Sequence, residues 1–521
     1  MSLLNIFTTI YSSSLAVPLL IVLISFLIKY IHSKCRRDPR MVLLAKTLPG
    51  PRGFPLIGNS LDFHLKGDTL KLMLEYKEKY GDVFRLWISK YLAIGLSNLT
   101  DVENVFMNSK MLGRPQLFKP FQDFFGDGLF TTYSIPKWRR NRKHFQPLFS
   151  HGALGIYPSE INEKVYHAVE KLKEFVDGPE FDAWESMGHL SFDVMTKTMM
   201  NVDLSQDDKS ALQYHDAITH ATAICFKKIC LPWLQHDVLD YFFYKRKIQH
   251  FREDVVSFVQ KLIDTKEHEV KRQVESYRNK TSNIEDVPSK RMITLAYELK
   301  EQEKNDSIPT DELITVLTGG TDSPALMNCF FLLAVAIHQD IQNKLYDELY
   351  EVFGDSDRMA DENDVARLPY LDKVLKETLR RFPIVPLMFR EVEEDTKLGN
   401  RVIPAGTIVI INVAAIHFNP EYYPDPWKFN PENFSAEAVE KRSKLAFLAF
   451  SAGPRNCIGI HFAMLQMKLT LIALLRNYSF YTKMKMDDIY MDNGFSIMSV
   501  NGYKLIIKQR VRKPTYLLKN K

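Results

Sequence analysis

The residues best suited to chemistry gather around one of the chain's five cysteines. Cys35, Cys225, Cys230, Cys329 and Cys457 are odd in number, widely spaced and without a C-x-x-C pair. That pattern suggests neither a disulfide framework nor a zinc site, and it suits a reducing, cytosol-facing compartment. Four of them read as small hydrophobes, the usual state of a free cysteine. Cys457 differs because it lies in the loop Phe450-Ser451-Ala452-Gly453-Pro454-Arg455-Asn456-Cys457-Ile458-Gly459, directly ahead of an apolar helical stretch. Gly453 and Gly459 let the backbone come close to a flat ligand. The positive end of the following helix lowers the pKa of a thiol placed there, and Arg455 offers a cation to an acidic group. A metal-binding thiolate gains from each of these features, whereas a structural cysteine needs none.

Three further constellations carry polar groups at useful spacings. Glu377 and Arg380 stand three residues apart, so they share a helical face and can pair; alone, this is a commonplace surface pair. Trp138 and Arg142 are four apart and also share a face, within what otherwise reads as a basic amphipathic helix. In Gly319-Gly320-Thr321-Asp322-Ser323-Pro324 an acid and an alcohol lie side by side and can relay protons, work that depends on position. Pro324 has no N–H, and its ring clashes with the carbonyl four residues back, so an opening of the helix at Gly320 is expected.

The Cys457 loop matches F-x-x-G-x-R-x-C-x-G at every specified position, and in this the chain resembles the cytochrome P-450 superfamily. In that superfamily a cysteine thiolate holds haem iron and favours O–O cleavage, chemistry that is carried over with the resemblance. The resemblance implies haem b as cofactor, Cys457 as the axial iron ligand, and Phe450, Gly453, Arg455 and Gly459 as the loop that seats it. It makes Trp138 and Arg142 a W-x-x-x-R pair contacting a haem propionate, and Arg390 another propionate-binding arginine. His417 matches a further haem-contacting position, although a satisfied structural histidine reads equally well. Glu377-Thr378-Leu379-Arg380 resembles the E-x-x-R that braces the haem-side core. The family completes this pair from a Pro-Glu-Arg-Phe-like segment, here Pro431-Glu432-Asn433-Phe434, so Asn433 implies a neutral variant of the triad.

The oxygen-activating helix of the family reads A/G-G-x-D/E-T-T/S. By resemblance, Gly319 and Gly320 give room above the haem, and Asp322 and Ser323 deliver protons. Ser323 stands where threonine is usual and lacks the β-branch that fixes a rotamer. Residues 429–450 and 460–468 look most like insect members of family 4 and its relatives. Many of these hydroxylate fatty acids near the terminal carbon, and some carry a glutamate in this helix that bonds covalently to haem. Gly319 stands at that position, so no covalent ester is expected and a fatty-acid-like substrate is a weaker inference. Candidate pocket residues are Phe124, Phe125, Leu317, Ile384, Val385 and 495–498.

The elements that must position these groups follow from periodicity. Residues 70–80, 161–175, 241–271, 310–353, 368–382 and 457–478 read as helices. Short β-rich pieces appear at 83–96, 401–412 and 503–508. The polar run 273–305 reads as an exposed loop with partial helix. No internal repeat is present. The expected fold class is mostly α with small β-sheets (α+β), which the resemblance makes a cytochrome P-450 fold, with an N-terminal transmembrane helix.

No charged residue occurs from 2 to 28, and 15–28 reads LAVPLLIVLISFLI. At ~1.5 Å per residue, about 20 residues span a ~30 Å hydrocarbon core. Lys29, Lys34, Arg36, Arg37, Arg40, Lys46 and Arg52 follow, against the single Asp38, which keeps this flank in the cytosol. A cleaved signal peptide would carry its charge on the other side. The expected division is a membrane anchor at 1–30, a basic and proline-rich linker at 31–59 and a haem-binding catalytic domain at 60–521, single-pass in the endoplasmic reticulum membrane.

With 521 residues, 45% hydrophobic and a net charge of only +5, the chain can bury a large core and lacks the basic excess of a nucleic-acid binder. It has no glycine-rich phosphate loop, so electrons are expected from a partner protein, which the resemblance implies is an NADPH-cytochrome reductase, with cytochrome b5 as a further candidate. Arg139, Arg140, Lys143, Lys441, Arg442 and Lys444 form a cationic face to steer such a partner. The function implied is a monooxygenase acting on a lipophilic small molecule. Its rivals are a haem-thiolate isomerase or dehydratase without reductase, and a non-catalytic haem sensor.

Overall fold

The computed structural model describes residues 18, 21–22, 36–65, 68–204, 209–279, 291–302, 309–491, 494 and 496–511. Its axis is the central helix Thr310–Ile337, whose second half is apolar but for Asn328. Such a helix must be surrounded, and it packs against Ala183–Met195, Arg246–Asn279, Pro369–Arg381 and Ile460–Asn477. Among the described residues it is the one helix long and apolar enough to cross a membrane, but it is mostly buried inside the protein. The proposed anchor lies outside the described residues, apart from Pro18, Ile21 and Val22, which are helical and exposed.

The helical expectations hold at 70–80, 161–175 and 368–382 within a few residues. The single helix expected over 310–353 is two. His338 leaves the helical conformation, with φ −102° and ψ 79°, and a second helix runs Gln339–Phe353. The His338 ring stacks on Phe429, at 5.4 Å between centroids, so tertiary packing holds the break. Of the exposed loop with partial helix expected over 273–305, residues 280–290 and 303–305 lie outside the described residues, and the rest is more helical than expected. Arg246–Asn279 is one continuous helix, and Met292–Gln302 is another. Met292, Leu295, Ala296 and Leu299 are buried and recur at i, i+3, i+4 and i+7, a stripe hidden in sequence by its charged flanks. Helices Leu99–Met107, Ala183–Met195 and Lys209–Cys230 were not anticipated.

Among the described residues nine short strands make three sheets. These are β1 (Val83–Ile88), β2 (Tyr91–Leu96), β3 (Phe181–Asp182), β4 (Leu387–Glu391), β5 (Thr396–Leu398), β6 (Arg401–Ile403), β7 (Ile408–Asn412), β8 (Tyr478–Tyr481) and β9 (Lys504–Gln509). The four-stranded sheet has the order β1-β2-β7-β4. β1 and β2 form a hairpin, β2 runs parallel to β7, and β4 is antiparallel to β7 with Arg390 opposite Val409. Every residue of β7 is buried, as befits an apolar strand covered on both faces.

The basic, proline-rich stretch is docked on this sheet. Helix Pro39–Lys46 starts on a proline, is capped by Asp38 and buries Met41, Leu44 and Ala45. Beyond it, Arg85 N–H donates to Pro49 O at 2.8 Å and Trp87 N–H to Asn59 Oδ1 at 3.1 Å.

The Glu377–Arg380 pair is an interior ion pair, both side chains being fully buried. Arg380 Nε and Nη2 donate to the two Glu377 oxygens at 2.8 Å, and Nη1 donates to the carbonyls of His417 and Pro426. Asn433 Nδ2 and Asn430 N–H complete the carboxylate's donors. The neutral third member is thus present and bonded, while Arg442 packs over the Tyr423 ring at 4.3 Å. Breaking such a pair by removing one partner leaves a buried, uncompensated charge. Arg380→Ala is expected to destabilise the protein by about 3–5 kcal/mol, read as a lowered denaturant midpoint. A midpoint equal to wild type would show that the pair does not brace the core.

Candidate active site

The cysteine loop is built from short backbone bonds. Ser451 N–H donates to Leu448 O, Asn456 N–H to Gly453 O, and Cys457 N–H to Phe450 O at 2.9 Å. Gly453 has φ +69°, and a Cβ there would lie 2.6 Å from the Phe106 carbonyl oxygen, so only glycine fits. The helix that follows begins at Ile460, with Gly459 as its cap. Cys457 therefore stands just ahead of the helix instead of starting it. Its side chain is exposed, but to an interior cavity that it lines. Burial pushes the thiol up, and the Gly459 N–H and Arg142 pull it down less strongly. For the free thiol the expected lowering contributions are present, but burial outweighs them. A coordinated cation would reverse the balance and deprotonate the sulfur.

His417 is placed differently from the haem-contacting expectation. It is fully buried, with Nδ1 3.2 Å from the Arg380 carbonyl, and its Nε2 accepts the Leu448 N–H at 2.9 Å. Burial holds its pKa down at about 3, and the neutral ring can donate from one nitrogen while accepting at the other. His417 supports the loop's backbone and does not line the cavity.

To the same cavity the central helix contributes Thr315, Thr318, Gly319, Asp322, Ser323 and Leu326. Their spacing of three and four makes one helical stripe. A Cβ at Gly319 would meet nothing within 4 Å, so this glycine leaves a clear opening on the cavity side. Gly320 does not share that role. A Cβ there would lie 2.4 Å from Met195 Sδ, so Gly320 admits a packed side chain behind the helix. The helix is continuous through Pro324, so the expected opening is not a break. What is lost is the N–H that would have bonded the Gly320 carbonyl. Burial pushes the Asp322 carboxyl up to about 7.

One edge of the site is cationic. Arg390 comes from β4. Gly113 O accepts the Glu391 N–H at 3.0 Å, which brings Arg114 alongside. Arg455 from the cysteine loop lies over the Trp138 ring at 4.4 Å. Burial lowers all three, Arg390 to about 10 and Arg455 to about 9, with Arg114 held well below its usual value, and repulsion from neighbouring arginines adds to it at Arg114 and Arg455. All three guanidinium nitrogens of Arg455, and Nε of Arg114, are buried without a hydrogen-bond partner among the described residues. Unpaired buried cations are costly, so this edge calls for an anion. A single thiol sharing a cavity with an open glycine, with orphaned arginines at the rim, fits a flat, metal-holding macrocycle with acidic side groups. The residues present fit haem b.

Arg142, expected at a propionate, lines the cavity and is also bonded to the cysteine loop. Its Nη1 and Nη2 donate to the backbone and side-chain oxygens of Asn456 at 2.7 and 2.5 Å, so it ties the Trp138 helix, Ile135–Phe145, to the cysteine loop. Among the pocket candidates, Phe125, Val385, Ser496 and Met498 line the cavity. Phe124, Leu317, Ile384 and Ile497 are buried core instead, and Phe495 lies outside the described residues. Arg114, Phe121, Phe130 and Trp184 also line it and were missed. Arg114 sits between Gly113 and Pro115, in a stretch without periodicity, and only the strand bridge reveals its neighbours.

The sequence pattern of the Cytochrome P450 family matches residues 48–506. The chain is 30% identical to cytochrome P450 4c21 of Blattella germanica over 486 residues, 91% of this chain and 95% of that protein. It is similar to cytochrome P450 4g15 of Drosophila melanogaster, at 27% identity over 92% of this chain and 95% of the relative. Cytochrome P450 4V2 of Homo sapiens is 28% identical, over 88% and 89%. A match of this extent, on a chain whose cavity gathers one cysteine, an open helix and a rim of unpaired arginines, has one outcome: the chain belongs to the cytochrome P450 family, as a monooxygenase that binds haem b.

Proposed function

We propose that Cys457 is the thiolate ligand of the haem iron, and that the protein inserts one atom of dioxygen into a lipophilic small molecule held against the Thr315–Leu326 stripe. The observation that carries this reading is that Cys457 and the Gly319, Asp322, Ser323 surface line one and the same cavity. When bound, haem supplies the activation of dioxygen, with thiolate donation favouring O–O cleavage. Arg114, Arg390 and Arg455 neutralise its acidic side groups. Arg142 and Trp138 keep the cysteine loop in register. Asp322, poised at about 7, can give and regain a proton at neutral pH, and the Ser323 hydroxyl beside it passes that proton on. Phe121, Phe125, Phe130, Leu326, Val385 and Met498 keep water out and favour an apolar substrate. A fatty-acid-like chain, a hormone or a xenobiotic would each suit such walls. Gly319 offers no carboxyl for a covalent ester.

Electrons come, in this reading, from NADPH through a separate reductase. Arg139 and Lys143 border a surface hollow beside Pro454, at the outer side of the cysteine loop, and Arg140, Lys441 and Lys444 are exposed. A cationic face of this kind steers an acidic flavoprotein. Arg442 is engaged with Tyr423 and Phe434 and contributes less. Residues 1–30 anchor the protein in the endoplasmic reticulum membrane, and 60–521 form the cytosolic catalytic body. Ser323-Pro324 favours one second reading, a haem-thiolate rearrangement or dehydration without reductase.

Three outcomes test the proposal. The reduced, CO-bound protein should show a thiolate-type absorption band that Cys457→Ala abolishes; a wild type without that band sinks the assignment. Pro324→Ala restores an N–H to the Gly320 carbonyl and should alter the spin state and the coupling of NADPH use to product, so unchanged values would make the proline a bystander. Arg140→Glu with Lys441→Glu should slow reductase-supported turnover and flatten its salt dependence. Turnover and salt dependence equal to wild type would remove these residues from docking.

A further inference from the structure

Glu312 takes no part in the chemistry above, yet it is 1% exposed in the first turn of the central helix. Its two oxygens are each claimed by a different element. Oε2 accepts the Leu129 N–H at 2.8 Å, and Oε1 accepts Asn141 Nδ2 at 2.6 Å. Leu129 and its neighbour Phe130 line the cavity. Asn141 lies between Trp138 and Arg142, the residues that hold Arg455 and the cysteine loop. Its Oδ1 is occupied by Arg140 Nε at 3.0 Å, which fixes the orientation of the amide.

The next acid along reinforces the same seat. Asp311 accepts the Asp127 N–H and pairs with Arg252 at 2.9 Å. A Cβ at Gly126 would lie 2.0 Å from the Asp311 carboxyl, and one at Gly128 would lie 2.6 Å from its carbonyl oxygen. The segment 126–131 is therefore pressed directly onto the helix's first turn. Other charges facing Glu312 are Asp311 on its own helix and Lys137 on the Trp138 helix, the latter paired to Asp127. Burial raises the carboxyl to about 7 even though both donors and Lys137 pull it down.

We infer that Glu312 is a positioning residue that sets the Leu129–Phe130 wall of the pocket and the Trp138 helix together, from one carboxylate. This rests on the reading of the cavity as the haem and substrate site. An apolar replacement would orphan two donors, one on each element. A glutamine would set its Nε2 against Asn141 Nδ2, donor to donor, and an Asn141 flip would only move that clash to Arg140 Nε.

The test uses the full-length, haem-loaded protein with Glu312→Gln, and the same variant carrying Asn141→Asp, which turns the facing donor into an acceptor. In Glu312→Gln, amide deuterium exchange should rise in 126–131 and 135–145. Affinity for 4-phenylimidazole, an apolar ring with a nitrogen donor, should fall roughly three- to tenfold, while the thiolate-type CO band persists. The added Asn141→Asp should return exchange and affinity towards wild type. Unchanged exchange in Glu312→Gln, or no return in the double variant, overturns the proposal. If Glu312→Gln does not fold, Asn141→Ala removes the milder half of the contact and should raise exchange in 126–131; unchanged exchange there overturns it equally. A wild type without the CO band would instead sink the reading of the site, so the two failures are distinguishable.

Discussion

The buried Glu377–Arg380 ion pair is the interaction on which the site depends. Arg380 is bonded at once to the carboxylate and to the carbonyls of His417 and Pro426. His417 in turn bonds back to Arg380 O and accepts the N–H of Leu448. The Leu448 carbonyl accepts Ser451 N–H, and the Phe450 carbonyl accepts Cys457 N–H. A continuous run of hydrogen bonds therefore leads from one ion pair to the backbone of the cysteine. The neutrality of His417 is part of this, since a doubly protonated ring could not accept from Leu448. Interior ion pairs are weak evidence of net stability, so their value here lies in fixing where the loop stands.

The site itself is arranged against its own stability. Arg455 and Arg114 keep buried nitrogens without partners, and Asn328 and Gln466 add further orphaned polar atoms in the core. Asp322 is raised towards neutrality by burial. An anionic cofactor relieves the arginine strain, and any ligand that binds only the folded form stabilises it by mass action. If these guanidinium groups pair with the cofactor as proposed, folding and cofactor loading are linked through them.

Around this, the central helix serves two purposes at different depths. Its second half, apolar but for Asn328, forms the core, while a stripe of its middle turns from Thr315 to Leu326 lines the cavity. Gly319 keeps the cavity side clear and Gly320 lets Met195 close the other side, so two adjacent glycines in one motif do opposite things. Nothing in their sequence separates them, because the difference is which neighbour lies over each Cα.

Much of the site was legible in the chain. The Cys457 loop, the Glu377–Arg380 spacing and the Asp322-Ser323 pair are local patterns, and local patterns survive folding because a few residues and one helix face define them. The main helices were legible for the same reason. What stayed hidden required contact between distant segments. The break at His338 comes from a ring at Phe429, and the buried face of Met292–Gln302 from a partner surface. Arg114 joins Arg390 only through a strand bridge, and Arg142 turns to Asn456, 314 residues away in sequence. The thiol's upward shift likewise comes from burial, which the helix-end argument could not include. By itself the sequence determined the family and, through it, the cofactor class, because the positions that carry the resemblance lie within one loop, and it singled out Cys457 as the candidate ligand. Only the tertiary structure decided which arginines rim the site and which glycine faces it, because those facts depend on long-range packing.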